Sequence, residues 1–348
     1  MFSKSFFKQV KAVWNNMAEY RFNLQYNNLI MGKTTDRGIN HAVRYDHFGH
    51  RDVLYIDELP LPSPKAGEVL VKIKTAGVNP GEAAIREGLM SKQFPSTFPS
   101  GQGADFAGIV TSVGDGVTKF SAGDEVLGFT NERNGQAEYI AAKADQLVAR
   151  PVNVSWEAAG GLFIVGSTAY AAVKAVNIKP GETLIVSGAA GGVGSIVVQL
   201  AKKQGATVIG LASEPHHQWL KDHGIMPLAY GDDNEAIIKA ALNGKKADAF
   251  IDTSGKGYVE LAIKLGIPAD RIDTVIDFEA AGKYKVKTDG SSAAGTAQVL
   301  EELADMVNKG ELEITIAKTY PLNQVKEAYE ELEKRHTQGK IILVASAN

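Results

Sequence analysis

Between residues 41 and 129 the apolar positions fall in short alternating runs: His41 to Tyr45, Val53 to Leu59, Val69 to Ala76, Ala107 to Val113 and Glu125 to Phe129. Turn-forming clusters such as Pro62-Ser63-Pro64 and Ser121-Ala122-Gly123-Asp124 separate them, so the pattern predicts closely spaced strands in a barrel-like all-β unit. After Trp156 the texture changes. Helical periodicity over Trp156 to Asn177, Pro215 to His223, Asn234 to Asn243 and Gly295 to Lys309 alternates with the buried-strand runs Leu184 to Val186, Thr207 to Leu211 and Ala247 to Asp252. That alternation predicts parallel strands with crossover helices. A tail of strand, helix and strand (Ile314 to Tyr320, Asn323 to Arg335, Ile341 to Val344) ends the chain.

The most informative stretch runs from residue 182 to 213. The strand Leu184 to Val186 leads into a glycine turn, and Ser195 to Lys203 continue as a helix that Gly205 ends before the next strand. Ala189, Gly191 and Gly194 occupy the three small positions of a G-x-G-x-x-G pattern whose first glycine is replaced by alanine. Small side chains let backbone N–H groups approach a pyrophosphate, and the helix N-terminus adds partial positive charge, so this is a dinucleotide cradle. At the end of the second strand stand Ala212-Ser213, with Glu214-Pro215-His216-His217 after them. An acid placed there would hold a ribose 2′-hydroxyl; a serine and histidines instead suit a 2′-phosphate, which favours NADPH over NADH, with Ser213 and His217 as donors. The histidines also read as plain solvent-exposed loop residues.

Composition adds exclusions. The chain has 348 residues, room for two domains, a net charge of −3 and no cysteine. There is no basic cluster for nucleic acid and no thiolate zinc site. No apolar run approaches the roughly 20 residues a membrane helix requires, and the cytoplasm is the default compartment. In the first thirty-odd residues Phe2, Phe6, Phe7, Val10, Val13, Trp14 and Met17 recur at helical spacing among lysines, without the continuous apolar stretch of a secretory signal, and read either as an amphipathic arm or as a start-site artefact with Met31 the natural start.

From about residue 40 onward the chain resembles the medium-chain dehydrogenase/reductase superfamily, and within it the zinc-free quinone oxidoreductase and zeta-crystallin group. The resemblance rests on Tyr45-Asp46-His47-Phe48-Gly49, Gly67-Glu68-Val69-Leu70-Val71, Ala76-Gly77-Val78-Asn79-Pro80, Ile85-Arg86-Glu87-Gly88, Asp105-Phe106-Ala107-Gly108, Gly123-Asp124-Glu125-Val126, Ser167-Thr168-Ala169-Tyr170, the cradle, and Thr337-Gln338-Gly339-Lys340-Ile341. It implies an α/β protein: a GroES-like β-barrel catalytic domain (37–158 and 313–348) and a doubly wound Rossmann domain (159–312), preceded by an extension over 1–36. It also implies a homodimer.

In zinc-dependent relatives a cysteine near the position of Asn79 helps hold a Lewis acid, so zinc chemistry is not expected here. Reduction of a quinone, enone or enal asks less: the cofactor supplies hydride and the site must orient an electron-poor acceptor and stabilise the developing negative oxygen. Asn79 is the candidate donor and Tyr45 lies on a strand that such enzymes turn to the cleft, although Asn79 before Pro80 also suits a turn and Tyr45 also suits packing. The resemblance further implies that Thr168 meets the nicotinamide amide at a helix start, that Ala190, Gly191, Gly192 and Val193 line the pyrophosphate, that Tyr230 lies near the adenosine phosphate, that Thr253 and Ser254 line a strand end, and that Gly339 and Lys340 close over the cofactor from the tail. The chain departs from the family over 256–294, where 277–294 reads as a mobile flap rich in glycine and serine. Two other readings stay open: a 2-enoyl thioester reductase, disfavoured because Leu89-Met90-Ser91 stand where those relatives have a tyrosine, and a crystallin-like NADPH-binding protein without turnover.

Overall fold

The computed structural model describes residues 38–345 apart from 232, 256 and 292, so the reading of the first 36 residues lies outside the described part. Fifteen strands in three sheets organise that part: β1 (Ile39–Tyr45), β2 (Tyr55–Pro60), β3 (Glu68–Val78), β4 (Ser100–Gly101), β5 (Asp105–Val113), β6 (Glu125–Phe129), β7 (Tyr139–Lys143), β8 (Leu147–Ala149), β9 (Thr183–Ser187), β10 (Thr207–Leu211), β11 (Met226–Leu228), β12 (Ala249–Asp252), β13 (Ile272–Thr274), β14 (Ile316–Pro321) and β15 (Lys340–Val344). The helices are α1 (Pro80–Arg86), α2 (Trp156–Val176), α3 (Gly192–Lys203), α4 (His217–Asp222), α5 (Asn234–Leu242), α6 (Tyr258–Lys264), α7 (Phe278–Tyr284), α8 (Ala297–Asn308) and α9 (Val325–Glu333).

The seven-stranded sheet has the order β14-β15-β3-β5-β6-β8, with β7 also paired to β3. Its centre is β3, which takes β15 antiparallel over Thr75 to Val78 and β5 along most of its length. The tail therefore returns to the first sheet. Lys340, the first residue of β15, enters this sheet directly after the Gly339 turn.

The five-stranded sheet, order β11-β10-β9-β12-β13, is parallel throughout. Helices cover it, so β9 and β12 are almost wholly buried and their sequences read as apolar runs without alternation. Ala189, Val197 and Leu184 join the α2 face in one large core, while Ile185, Phe250 and Tyr258 anchor a second core on the opposite face.

Helix α2 joins the two sheets. Ser155 caps it by accepting the Ala158 N–H at 3.1 Å, and Asn177 ends it in the left-handed conformation. A Cβ on Gly160 would lie 2.3 Å from Thr75 Oγ1, so glycine there lets the helix press against β3. At 21 residues α2 is long and apolar enough to cross a bilayer, which corrects the reading that no such run exists; yet 72% of that stretch is buried inside the protein, where a core helix has the same composition.

The segment after 256 also differs from expectation. In place of a loose flap, α7 is capped by Asp277, which accepts the Ala280 N–H at 3.0 Å, and it buries Ala280 and Ala281 in the second core. Asp273 accepts the Asp289 N–H at 2.8 Å, and Lys287 Nζ donates to the Ala175 carbonyl, so the following loop is tied to β13 and α2. The glycines suggested mobility, but buried alanines and a cap at Asp277 outweigh them.

Candidate active site

The cradle is built from backbone. Gly188 makes the positive-φ turn (φ 69°) out of β9, and Gly191 precedes the first residue of α3. A Cβ on Gly194 would stand 2.0 Å from the Gly188 carbonyl oxygen, so the first turn of α3 and the β9 turn are in direct contact and only glycine fits. This corrects the placement of the motif's first small residue. The turn belongs to Gly188, while Ala189 is fully buried beside Gly210, where a Cβ would lie 2.8 Å from the Ala189 methyl.

Three predicted residues surround that turn. Tyr230 accepts the Gly188 N–H on its hydroxyl at 3.0 Å with its ring part exposed, and burial raises its pKa against the pull of that amide. Thr253 donates to the Ser187 carbonyl at 2.7 Å, and the Ser254 N–H donates to Asp252 Oδ1 at 3.0 Å. Thr253 is thereby committed to joining the ends of β9 and β12, which corrects its reading as a free cofactor contact. The residue that sequence reasoning missed is Asp252: fully buried, it accepts the Ser187 hydroxyl at 2.6 Å, the Thr274 hydroxyl at 2.8 Å and the Ser254 and Gly255 amides. An acid at the end of an apolar strand was the available signal.

At the end of β10, Ser213 precedes a short 3₁₀ turn and its hydroxyl caps nothing. His217 instead places Nε2 3.1 Å from the Ala212 carbonyl, so one ring nitrogen already has a backbone partner and the reading of His217 as a free donor is corrected to its remaining nitrogen. His216 reaches the tail, with Nδ1 3.2 Å from Gln338 Oε1. Thr168 lies in the thirteenth position of α2 and donates to the Ile164 carbonyl at 2.6 Å; the helix-start placement is therefore corrected to a helix interior.

The tail does meet the cradle. The Gly339 N–H donates to the Ala190 carbonyl at 3.0 Å and Gly339 bridges to Gly191; a Cβ on Gly339 (φ 82°) would collide with the Thr315 carbonyl at 2.1 Å. From there the Lys340 side chain leaves the cradle. A Cβ on Gly192 would lie 3.5 Å from Lys340 Cδ, and Lys340 Nζ ends on Asn79 Oδ1 at 2.7 Å and the Val78 carbonyl at 3.1 Å.

Asn79 stands at the centre of a buried polar cluster. Its Nδ2 donates to Glu82 Oε1 at 3.0 Å and Asp105 Oδ1 at 2.8 Å, and its backbone N–H donates to Glu82 Oε2 at 3.1 Å. Both amide protons are thus engaged by carboxylates. The free-donor reading of Asn79 is corrected: the side chain is an orienting bridge between an ammonium and two acids. Glu82 also accepts the Ala104 N–H at 2.9 Å and the Tyr329 hydroxyl at 2.9 Å, while Tyr329 accepts from Gln102 at 2.7 Å and Gln136 at 3.1 Å. Burial, and next the Asp105 carboxylate, push Glu82 up to about 7 against the pull of Asn79, Lys340 and Tyr329. Tyr45 lies outside this cluster. It is fully buried, its ring stands edge-on to Phe98 at 5.8 Å, and its hydroxyl is 3.4 Å from Ser96, so the structure gives it the packing role.

Two family models match the chain: "Alcohol dehydrogenase GroES-like domain" over residues 65–180 and "Zinc-binding dehydrogenase" over residues 227–343. Quinone oxidoreductase from Rattus norvegicus is 28% identical over 88% of this chain and 97% of its own length. The solved quinone oxidoreductase from Coxiella burnetii superposes with a TM-score of 0.80 at 28% identity, covering 89% of this chain and all of that one. The chain belongs to the medium-chain dehydrogenase/reductase superfamily. The Escherichia coli quinone oxidoreductase, solved in complex with NADPH, superposes on this family member with a TM-score of 0.76 at 27% identity over 87% of the chain and 99% of its own. The GroES-like sheet and the parallel Rossmann sheet expected of the superfamily are both present.

Among the described residues, one group of three potential metal-ligand side chains lies close together: His50, Glu87 and Glu333, their ligand atoms within 4.8 Å. Arg51 pairs with Glu333 and Arg86 with Glu87, so guanidinium groups already supply the positive charge a metal ion would bring.

Proposed function

We propose that this chain binds NADPH across the Gly188–Gly194 turn and reduces a quinone or an α,β-unsaturated carbonyl without zinc. The supporting observation is the cradle itself: backbone packed so closely that a Cβ at Gly194 would sit 2.0 Å from a carbonyl, closed from the tail by Gly339. Such packing leaves the first amides of α3 facing outward for a pyrophosphate. Relatives named as quinone oxidoreductases, one of them solved with NADPH, support the cofactor and the acceptor class.

Bound NADPH would supply the hydride. The protein's part is to hold the phosphates at Ala190 to Val193, to present Ser213 to the 2′-phosphate in a corner where no strand-end acid repels it, and to set the charge around Asn79. Zinc fits poorly at Asn79, because the Lys340 ammonium already occupies the cation position on Asn79 Oδ1. Reduction of a quinone takes one hydride and one proton to the hydroquinone, with NADPH leaving as NADP⁺.

The test is loss of NADPH absorbance with a panel of quinones, enones and enals, before and after removal of metal by a chelator. Turnover that survives chelation is the expected result. Binding of NADPH without oxidation by any acceptor would replace this reading with a non-catalytic one.

A further inference from the structure

The Lys340 side chain runs from the cradle to the buried acids. Its backbone follows Gly339, which bridges to Gly191; its stem passes Gly192 and Gly161, where a Cβ would lie 3.0 Å from Lys340 Cε; and its ammonium ends on Asn79. Beyond Asn79 stand Glu82 and Asp105, the first 7% exposed and the second 0%, with Lys340 at 3%.

The charges facing Glu82 can be named element by element. Asp105 comes from β5 and Lys340 from β15. From α9 comes the Tyr329 hydroxyl, whose pKa burial raises. From α1 itself comes Arg86, whose guanidinium lies over the Tyr329 ring at 4.7 Å and donates to the Gly49 carbonyl at 3.2 Å and Glu87 at 3.4 Å rather than to Glu82. Gln102 and Gln136 are neutral. Two acids therefore share one directly bridged ammonium in a site shielded from water, where charges interact strongly.

We propose that dinucleotide binding is coupled to proton uptake by this cluster, with Lys340 as the positioning residue that carries the coupling and Glu82 as the group that takes the proton. The proposal rests on the reading of the cradle as a dinucleotide site. Phosphates placed against Gly191 and Gly192 add negative charge beside the Lys340 stem. They attract the ammonium away from Asn79 and make the potential at the acids more negative. A carboxylate in a more negative potential binds its proton more tightly. By linkage, affinity for the dinucleotide then falls as pH rises through the window in which Glu82 titrates, which its raised pKa places around neutrality.

Calorimetric titration of the full chain with NADPH at pH 7, in buffers of different ionisation enthalpy, counts the protons exchanged. The expected result is uptake of about half a proton more by the wild type than by Glu82→Gln, since the cofactor's own 2′-phosphate titrates in both and cancels in the difference. Lys340→Met serves as the second variant: with no ammonium for the phosphates to draw away from Asn79, the extra uptake should vanish and the proton count should fall to that of Glu82→Gln. Equal proton counts for wild type and Glu82→Gln overturn the coupling, as does wild-type proton uptake in Lys340→Met should the glutamine variant not fold. If neither NADPH nor NADH gives any binding signal, the dinucleotide reading itself falls, which is a different failure from binding with equal proton counts.

Discussion

The cradle and the cluster around Asn79 touch through one lysine, yet they are made on opposite principles. The cradle works by removing side chains: Gly188, Gly191, Gly194 and Gly339 leave backbone amides and carbonyls as the functional surface, and nothing in the turn itself titrates. The cluster works by burying charge, with Asn79, Glu82, Asp105, Tyr329 and Lys340 drawn from four separated parts of the chain. The first should fail sterically and at every pH; the second should fail electrostatically and in a pH-dependent way.

The largest expected effect on cofactor binding is therefore Gly194→Ala. One methyl 2.0 Å from the Gly188 carbonyl oxygen cannot be relieved by a rotamer change, because both sides are backbone. A cost of about 3 kcal/mol is expected, near the upper end for overpacking, with NADPH affinity lowered on the order of 100-fold or more. Urea unfolding and fluorescence titration measure the two, and the losses should be the same at pH 5.5 and pH 8.

Lys340→Met should fail differently. Removing one partner of a buried charge set costs about 3 to 5 kcal/mol when the remaining charge is uncompensated. The sign follows from Glu82: its folded pKa, about 7, lies above the ordinary glutamate value of 4.5, so its contribution is fully present below pH 4.5 and is lost as pH rises through 7. The variant should accordingly lie near wild type at pH 5 and fall well below it at pH 8. A deficit of the same size at both pH values would mean that Lys340 acts only through its aliphatic stem.

These contrasts also explain what could be read along the chain. Steric demands act between near neighbours, so the spacing of Ala189, Gly191 and Gly194 revealed the cradle, and an error of one residue in the turn changed nothing downstream. The alternation of strands and helices likewise showed the parallel sheet, and the short β-runs showed the first sheet, although β7 and β8, only five and three residues long, passed unnoticed. The cluster was invisible as a cluster. Asn79, Asp105 and Lys340 all lay within quoted motifs, but hydrogen bonding between residues 26 and 261 positions apart leaves no local pattern, and Tyr329 looks like any aromatic on the apolar side of an amphipathic helix. Asn79 and Thr168 were misjudged for a related reason: residue type shows that a donor exists, while only the fold shows that it is already engaged.

Tyr329→Phe probes the neutral part of the cluster and should have a smaller effect. The hydroxyl donates to Glu82 and accepts from Gln102 and Gln136, so its removal leaves an acceptor and donors buried without that partner. About 1 to 3 kcal/mol of stability should be lost. The loss should be larger at pH 8, where Glu82 needs its donors most, so the variant joins the electrostatic side of the comparison.

The smallest change is Ser213→Asp, and it tests whether a charge can be added to the cradle side without disturbing its shape. Ser213 caps nothing, and it stands at the end of β10, where an acid would face the ribose. The aspartate should leave stability within about 0.5 kcal/mol of wild type, as surface substitutions usually do. It should repel a 2′-phosphate while accepting a 2′-hydroxyl, shifting the NADPH-to-NADH preference about 10- to 100-fold toward NADH, roughly 1.4 to 2.8 kcal/mol. Parallel titrations with the two dinucleotides measure the shift. Retained preference for NADPH would move the phosphate contact away from Ser213, toward His216 and the Gln338 it touches, and would make the tail rather than the strand end the seat of cofactor choice.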